Sequence, residues 1–310
     1  MKYSFKKPLT GLDIDSSSIK MVQLLKEKKG WRLIRCKEIP LEHETLEVSH
    51  RDENIIDPYL FTHTLEEALQ GMSGKVTSIG LSLPNDCLKI TTHIFKGLHD
   101  KKSKIKDLIA WKEKTTLPYP IEKAKISFFP FKPRSMEERV FLVVIGFQDI
   151  IRDFETNLKR LKINPQVIRP SIINHINFYM ESLDPTGITA FLGLFEQYFS
   201  FFVFEDDQMI FYRGKRKSVS YLHFVQEIDM TIELFHRDHP EKKIEKLYIG
   251  SQIELADALE TELENYSDID TTLINENKII ALDQELNDNG GKISLRRYGS
   301  AIGAAQSLIT

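Results

Sequence analysis

The sequence predicts a two-lobed α/β protein, on three observations. A three-strand opening over residues 9–39 recurs over residues 189–212, in each case followed by helix and strand patterns. Asp184-Pro185-Thr186-Gly187 is a break of turn formers and divides the two halves. Within the first half, residues 88–161 read strand, helix, strand, strand, helix, the pattern of a small α+β insertion.

In the first opening, Leu9 and Leu12 form an apolar entry, Asp13 to Ser18 are turn formers, and Ile19, Met21 and Gln23 alternate onto one face. The third strand runs over 31–39 and is closed by Pro40. A charged connection leads to a helix over 61–72, where Thr64 and Glu67 have the spacing of a capping box and Gly71 and Gly74 mark the end. A strand follows at 76–83.

The insertion opens with a strand at 88–95. Its helix, 103–116, carries Ile105, Leu108, Ile109 and Trp111 or Lys112 on successive turns and stops before Leu117-Pro118-Tyr119-Pro120. Strands at 126–131 and 140–147 precede a helix at 150–161 with Phe154, Leu158 and Leu161 at helical spacing. A short strand at 167–168 and a helix at 171–183 reach the break.

In the second half, Leu222, Val225, Ile228, Ile232 and Phe235 form one stripe of a helix over 221–236. A strand ends at Gly250-Ser251, a helix occupies 253–263, a strand 270–274 and a turn 289–291. The last helix opens at Tyr298 with small residues that permit close packing. The aromatic run Phe195, Tyr198, Phe199, Phe201, Phe202, Phe204 reads as strand core, not a base-stacking platform, because no basic groove accompanies it.

Composition excludes several function classes. A formal net charge of −3 gives no general pull toward nucleic acid. The two cysteines, Cys36 and Cys87, offer neither a disulfide framework nor a metal site and suit a reducing, cytoplasmic compartment. The first eight residues lack a signal-peptide core, and no apolar run reaches membrane-spanning length, so no membrane insertion is expected. No nucleophile-elbow, zinc-protease or Walker motif occurs. His236, Asp238 and His239 are expected on the exposed end of a helix, not at a metal.

Chemistry is suggested by the first hairpin. Gly11, Asp13 and the hydroxyl residues Ser16 and Ser18 have the makeup of a turn that presents backbone N–H groups and hydroxyls to a phosphate; the same residues also suit an ordinary β-hairpin.

This stretch resembles the first phosphate loop of the actin-like ATPase superfamily, and within it the PilM family of type IV pilus assembly proteins and its FtsA-like relatives. Asp13, Ser16, Ser18 and Lys20 fall on the motif. Residues 117–124 and 161–168 are similar to stretches of the family's 1C subdomain, and Gly250-Ser251 and residues 299–305 resemble the adenosine motif and second connecting helix. The resemblance implies an actin-like (ribonuclease H-like) fold with a first lobe of residues 1–87 and 162–184, a 1C-type insertion of 88–161, and a second lobe of 185–310 whose 2B subdomain is reduced.

Four departures from the family bear on chemistry. Asp15 stands where glycine is usual, adding a carboxylate where backbone meets phosphate. Gly193 and Phe195 replace the second loop's Asp and Gly. Gly250-Ser251 replaces Gly-Gly, and Arg213 to Lys217 run almost straight into the Tyr221 helix. The cofactor-binding set Asp13, Ser16, Ser18, Lys20, Gly250 and Ser251 is therefore expected to be vestigial. No catalytic residue, metal or cofactor is expected, ATP and Mg being the alternative if the chain is an active ATPase or superfamily kinase.

By resemblance, the function is that of a cytoplasmic scaffold of a type IV pilus or type II secretion inner-membrane platform. The implied ligand is the N-terminal cytoplasmic peptide of a PilN-like or GspM/GspL-like single-pass protein, docking beside the insertion at an exposed strand edge, residues 88–95 or 140–147. Homo-oligomerisation is compatible with this reading.

Overall fold

The repeated opening becomes two sheets of one topology. In the computed structural model, which describes residues 7–97, 102–133, 137–216, 221–253, 260–263, 269–288 and 293–309, strands β1 (Leu9–Ile14), β2 (Ser18–Lys26) and β3 (Trp31–Pro40) form an antiparallel meander. β4 (Ser78–Leu83) then lies parallel to β1, with Leu12 opposite Leu81. The second half repeats this. β9 (Ile188–Leu194), β10 (Tyr198–Glu205) and β11 (Gln208–Arg216) form the meander, and β12 (Lys246–Ser251) runs parallel to β9. The middle strand of each meander shifts register toward the outer one after its sixth residue, Gln23 in β2 and Val203 in β10. The first sheet is completed by β8 (Asn164–Pro170) beside β4, and the second by β13 (Asp270–Leu273) beside β12.

The insertion forms its own three-stranded antiparallel sheet in the order β5 (Leu88–Lys96), β7 (Glu138–Phe147), β6 (Ala124–Pro130). β7 is central, which corrects the expectation of an exposed edge at 140–147; the free edges belong to β5 and β6. Its apolar run explains the position, because both faces are covered. Phe141, Val143 and Ile145 pack beneath helix α2 (Lys102–Glu113), whereas Val140 and Leu142 enter a core that includes Phe202, Phe204 and Tyr212 of the second lobe. The Lys132 amide also donates to Met209 O at 2.8 Å, tying the insertion to that lobe.

Helix α1 (Pro58–Gln70) begins three residues before the expected position. Asp57 is the N-cap and accepts from the amides of Tyr59 and Leu60, and Pro58 takes the first turn, where its missing N–H costs nothing. Thr64 is mid-helix and donates to Leu60 O, so it caps nothing.

Packing crosses two of the expected lobe boundaries. Helix α3 (Gln148–Arg160), expected with the insertion, packs its stripe Ile150, Phe154, Leu158 with Leu12, Phe61 and Leu65 of the first lobe as well as with Leu88 and Val144 of the insertion. The chain beyond 185 does not stay in the second lobe either. Strand β14 (Ile280–Leu282) pairs parallel to β3, Ile280 opposite Trp31, and the last helix lies on the first sheet.

After helix α4 (Ser171–Tyr179), α5 (Tyr221–Asp238) and the single turn α6 (Gln284–Asp288), that last helix is α7 (Gly299–Gln306). It approaches β1 so closely that a Cβ on Gly11 would sit 1.9 Å from Ala301 O. α4 and α7 contribute Ile172, Phe178, Tyr179, Ala301 and Ile302 to a core shared with Phe191 and Phe202, which joins the lobes.

β11 ends at Arg216 and α5 begins at Tyr221. Val225, Ile228, Ile232 and Phe235 of α5 are buried against the second sheet. Most of the expected helix at 253–263, and the turn at 289–291, fall outside the described residues. No described helix is long and apolar enough to cross a membrane.

Candidate functional site

Both lobes open onto one cleft of about 660 Å³. Its floor is the β1–β2 turn, its far wall the β9–β10 turn, and its rim includes Asp86, Arg216, Gln252 and Arg297.

The register of the first hairpin sets Asp13 opposite Lys20. Asp13 is almost fully buried and accepts from Ser171 Oγ at 2.9 Å; Ser171 in turn accepts from Ser82 Oγ at 3.1 Å. Burial outweighs the attraction of Lys20 and holds the Asp13 carboxyl above the ordinary range.

The turn is closed by its own side chain. Asp15 Oδ1 accepts from the Ser17 amide at 2.7 Å, the Ser18 amide at 2.7 Å and Ser17 Oγ at 2.8 Å, and Oδ2 takes the Lys20 ammonium. The Asp15 amide itself donates to Ser18 O at 3.1 Å. This is the bonding of an Asx turn, in which a carboxylate holds the amides two and three residues on. Burial alone would raise the Asp15 carboxyl, but Lys20 and the Ser17 bonds hold it below the usual range. Lys20 is raised, because Asp13, Asp15 and Glu38 together outweigh its desolvation. Glu38 accepts Ser18 Oγ at 3.1 Å and a two-pronged bond from Arg297, at 2.7 and 2.9 Å.

At the position that corresponds to Asp13 the second hairpin has Gly193. A Cβ on Gly193 would lie 2.5 Å from Ser200 Oγ and 3.2 Å from His175 Nδ1, so a carboxylate side chain has no room there. The Phe195 amide is spent on Tyr198 O at 2.9 Å, and its ring packs at 4.7 Å on buried His175, whose desolvation lowers its pKa to about 3.

Of the sequence-derived set, Asp13, Ser16, Ser18 and Lys20 meet at the cleft. Gly250 and Ser251 do not line it. A Cβ on Gly250 would meet Phe191 and Tyr179 within 2.8 Å, and Ser251 Oγ bonds the amide and carbonyl of Ile253. Their neighbours Gln252 and Ile253 line the cleft instead. Ser171, Glu38, Arg297 and the Asp86–Arg216 pair across the cleft were not foreseen; Ser171 alone carried a local signal, as the first residue of a helix after Pro170.

Among the described residues no group of three or more His, Cys, Asp and Glu side chains is arranged to hold a metal. His239, expected on an exposed helix end, is buried and stacks on Phe235 at 5.1 Å.

The family model for type IV pilus assembly protein PilM matches residues 11–217, more than half of the 310. No curated protein matches the chain. Among solved structures, a PilM–PilN type IV pilus biogenesis complex superposes with a TM-score of 0.80 at 14% identity, over 97% of this chain and 98% of that one. A Bacteroides thetaiotaomicron protein of actin-like ATPase fold and unknown function gives 0.51 at 8% identity, over 91% and 95%. The cytoplasmic domain of EpsL, an inner-membrane component of the Vibrio cholerae type II secretion system, gives 0.48 at 9% identity, over 90% and 86%. The fold is thus the actin-like ATPase fold, and the chain belongs to the type IV pilus assembly protein PilM family.

Proposed function

We propose that the protein is a cytoplasmic scaffold of a type IV pilus or type II secretion inner-membrane platform. In this reading it holds the N-terminal cytoplasmic peptide of a single-pass partner of the PilN or GspM/GspL kind, at the inner face of the membrane, without nucleotide. The family match over residues 11–217 carries the platform reading. The likeness to a PilM chain solved with PilN agrees with it.

The closed turn supports the loss of nucleotide. Phosphate binding at such a hairpin needs free amides and a cation, and here the Ser17 and Ser18 amides and Lys20 are all held by Asp15. The cleft also carries six carboxylates, Asp13, Asp15, Glu38, Glu47, Asp86 and Glu196, against three cations. Each cation already faces a carboxylate: Lys20 with Asp15, Arg216 with Asp86, Arg297 with Glu38. A triphosphate entering there meets surplus negative charge, and the second hairpin has no carboxylate at Gly193, the position that corresponds to Asp13, for a metal or an attacking water.

For the peptide, the edge of β5 is the better candidate. It leaves a row of backbone groups available for strand addition, with Thr92 and Ile94 exposed along it. Titration of the N-terminal peptide from the neighbouring single-pass membrane protein is expected to saturate, while calorimetry with Mg·ATP shows no binding. A soluble peptide that fails to bind defeats the scaffold reading. Micromolar Mg·ATP affinity, or phosphate release lost in Asp13→Ala, defeats the reading of a retired ATPase.

A further inference from the structure

We infer that the outer face of α2 is a docking surface for an anionic lipid leaflet. Helix α2 is anchored by Ile105 and Ile109, which pack on Phe141, Val143 and Ile145 of the insertion sheet. Its other side presents apolar groups to solvent. Trp111 is 75% exposed and Leu108 37%, and with Lys104 they fall at spacings of four and three, which makes one stripe along the helix. Lys112 and Lys114 are exposed beside that stripe, and Lys106 is exposed on the opposite flank of the helix; Lys112 lies over the Phe95 ring at 5.4 Å. Among the described residues no ion pair engages Lys104, Lys106 or Lys114. The helix has two acids. Glu113 is buried and taken by Lys89 at 2.6 Å and His93 at 2.5 Å, and Asp107 alone is exposed against the four lysines.

An indole left in water beside lysines suits a membrane interface, where the ring enters the headgroup region and the ammonium groups meet lipid phosphates. The lysines from 104 to 114 extend over roughly 15 Å of helix, at ~1.5 Å per residue. That spread matches a plane of headgroups better than a single acidic side chain. The attraction is peripheral: α2 stays packed on its lobe and only its outer side chains enter the interface. It is also independent of the partner peptide, whose proposed edge lies on the sheet beneath.

The test is cosedimentation and tryptophan emission of the full chain with vesicles of phosphatidylcholine, with and without phosphatidylglycerol. The chain has two tryptophans, and Trp31 is buried under Lys26, so an emission shift reports Trp111. The expected result is a blue shift and pelleting with phosphatidylglycerol vesicles at low salt, reversed by high salt. Trp111→Phe should abolish the shift. Combining Lys104→Gln, Lys112→Gln and Lys114→Gln should weaken binding on the order of a hundredfold, at about fivefold per lysine. All four side chains are exposed, so the variants should retain the wild-type circular dichroism spectrum, which is checked alongside. Failure to shift or pellet with phosphatidylglycerol vesicles at low salt overturns the inference, as does equal binding to neutral vesicles. A shift produced by polyglutamate and not by vesicles would assign the face to an acidic polypeptide instead.

Discussion

Replacing Asp15 with alanine removes the group that closes the first hairpin, and two opposite effects should follow. The first is a loss of stability. Asp15 holds two backbone amides and the buried Lys20 ammonium. Hydrogen bonds to a charged group contribute about 1.5–3 kcal/mol each, and orphaning one member of a buried ion pair costs about 3–5 kcal/mol. Asp15 is a third exposed, Ser17 is open to water, and Lys20 keeps Asp13 and Glu38 nearby. The net loss expected at neutral pH is therefore about 2 kcal/mol. Its pH dependence has a definite sign. The folded Asp15 carboxyl titrates below its ordinary 3.8, so its contribution is complete above that value and drains away as pH falls through the lower folded value. Wild type and variant should therefore converge in urea unfolding below pH 3.8. The second effect is a gain of anion binding. At an effective dielectric of ~20, a carboxylate ~4 Å from a phosphate oxygen repels it by about 4 kcal/mol; Lys20 screens part of this, leaving about 2 kcal/mol, or roughly 30-fold in affinity. Pyrophosphate or Mg·ATP should thus bind the variant measurably more tightly than wild type by calorimetry, still without turnover, since Gly193 and Phe195 are unchanged. A variant with unaltered stability and unaltered anion affinity would refute the account of a hairpin closed by its own carboxylate.

Two further substitutions probe the frame around the cleft. Gly11→Ala puts a methyl 1.9 Å from Ala301 O and 2.7 Å from Ala305 N, both backbone atoms that cannot rotate away; urea unfolding should show a loss of about 3 kcal/mol or more, and a cost below about 1 kcal/mol would mean that α7 is not seated as described. Arg216→Ala cuts the Asp86 pair across the cleft, in which Arg216 is exposed and Asp86 half-buried. Global stability should fall by less than about 1 kcal/mol, while amide exchange near residues 195–198 quickens, and unchanged exchange there would mean the pair does not restrain the lobes.

How far the sequence could be read depended on whether a feature is local. The duplicated meander was legible because alternation, turn residues and the Asp184–Gly187 break all act within a few positions. The order of strands in the insertion was not, since sequence neighbours need not be sheet neighbours; the near-continuous apolar run of β7 was the available sign that both its faces are covered. β14 has three residues and pairs with a strand some 250 positions away, so no periodic signal announces it. At the site, Asp13, Ser18 and Lys20 were identified and do meet. Asp15 was expected to set its carboxylate where backbone meets phosphate, whereas an Asp followed by three serines is also a strong Asx-turn sequence, and desolvated Lys20 gave its carboxylate a reason to fold back onto the turn. Glu38 and Arg297 come from distant segments and were invisible for the same reason as β14.

The return of the chain to its first sheet governs how the protein can be made. The edge of that sheet is laid down by residues 280–282, and the layer over β1 by residues 299–306. On the ribosome, the first half must wait with the apolar face around Gly11 and Gly80 uncovered until residues 280–306 have emerged. Its structure is then closed by segments translated after the whole second sheet. A fragment ending at the break after residue 184 would look like a domain in the sequence and would lack both a strand and a helix of its own core. Truncations and split fusions placed at that break should therefore aggregate. Complementation should succeed only when the two fragments are supplied together, with the second clasping the first.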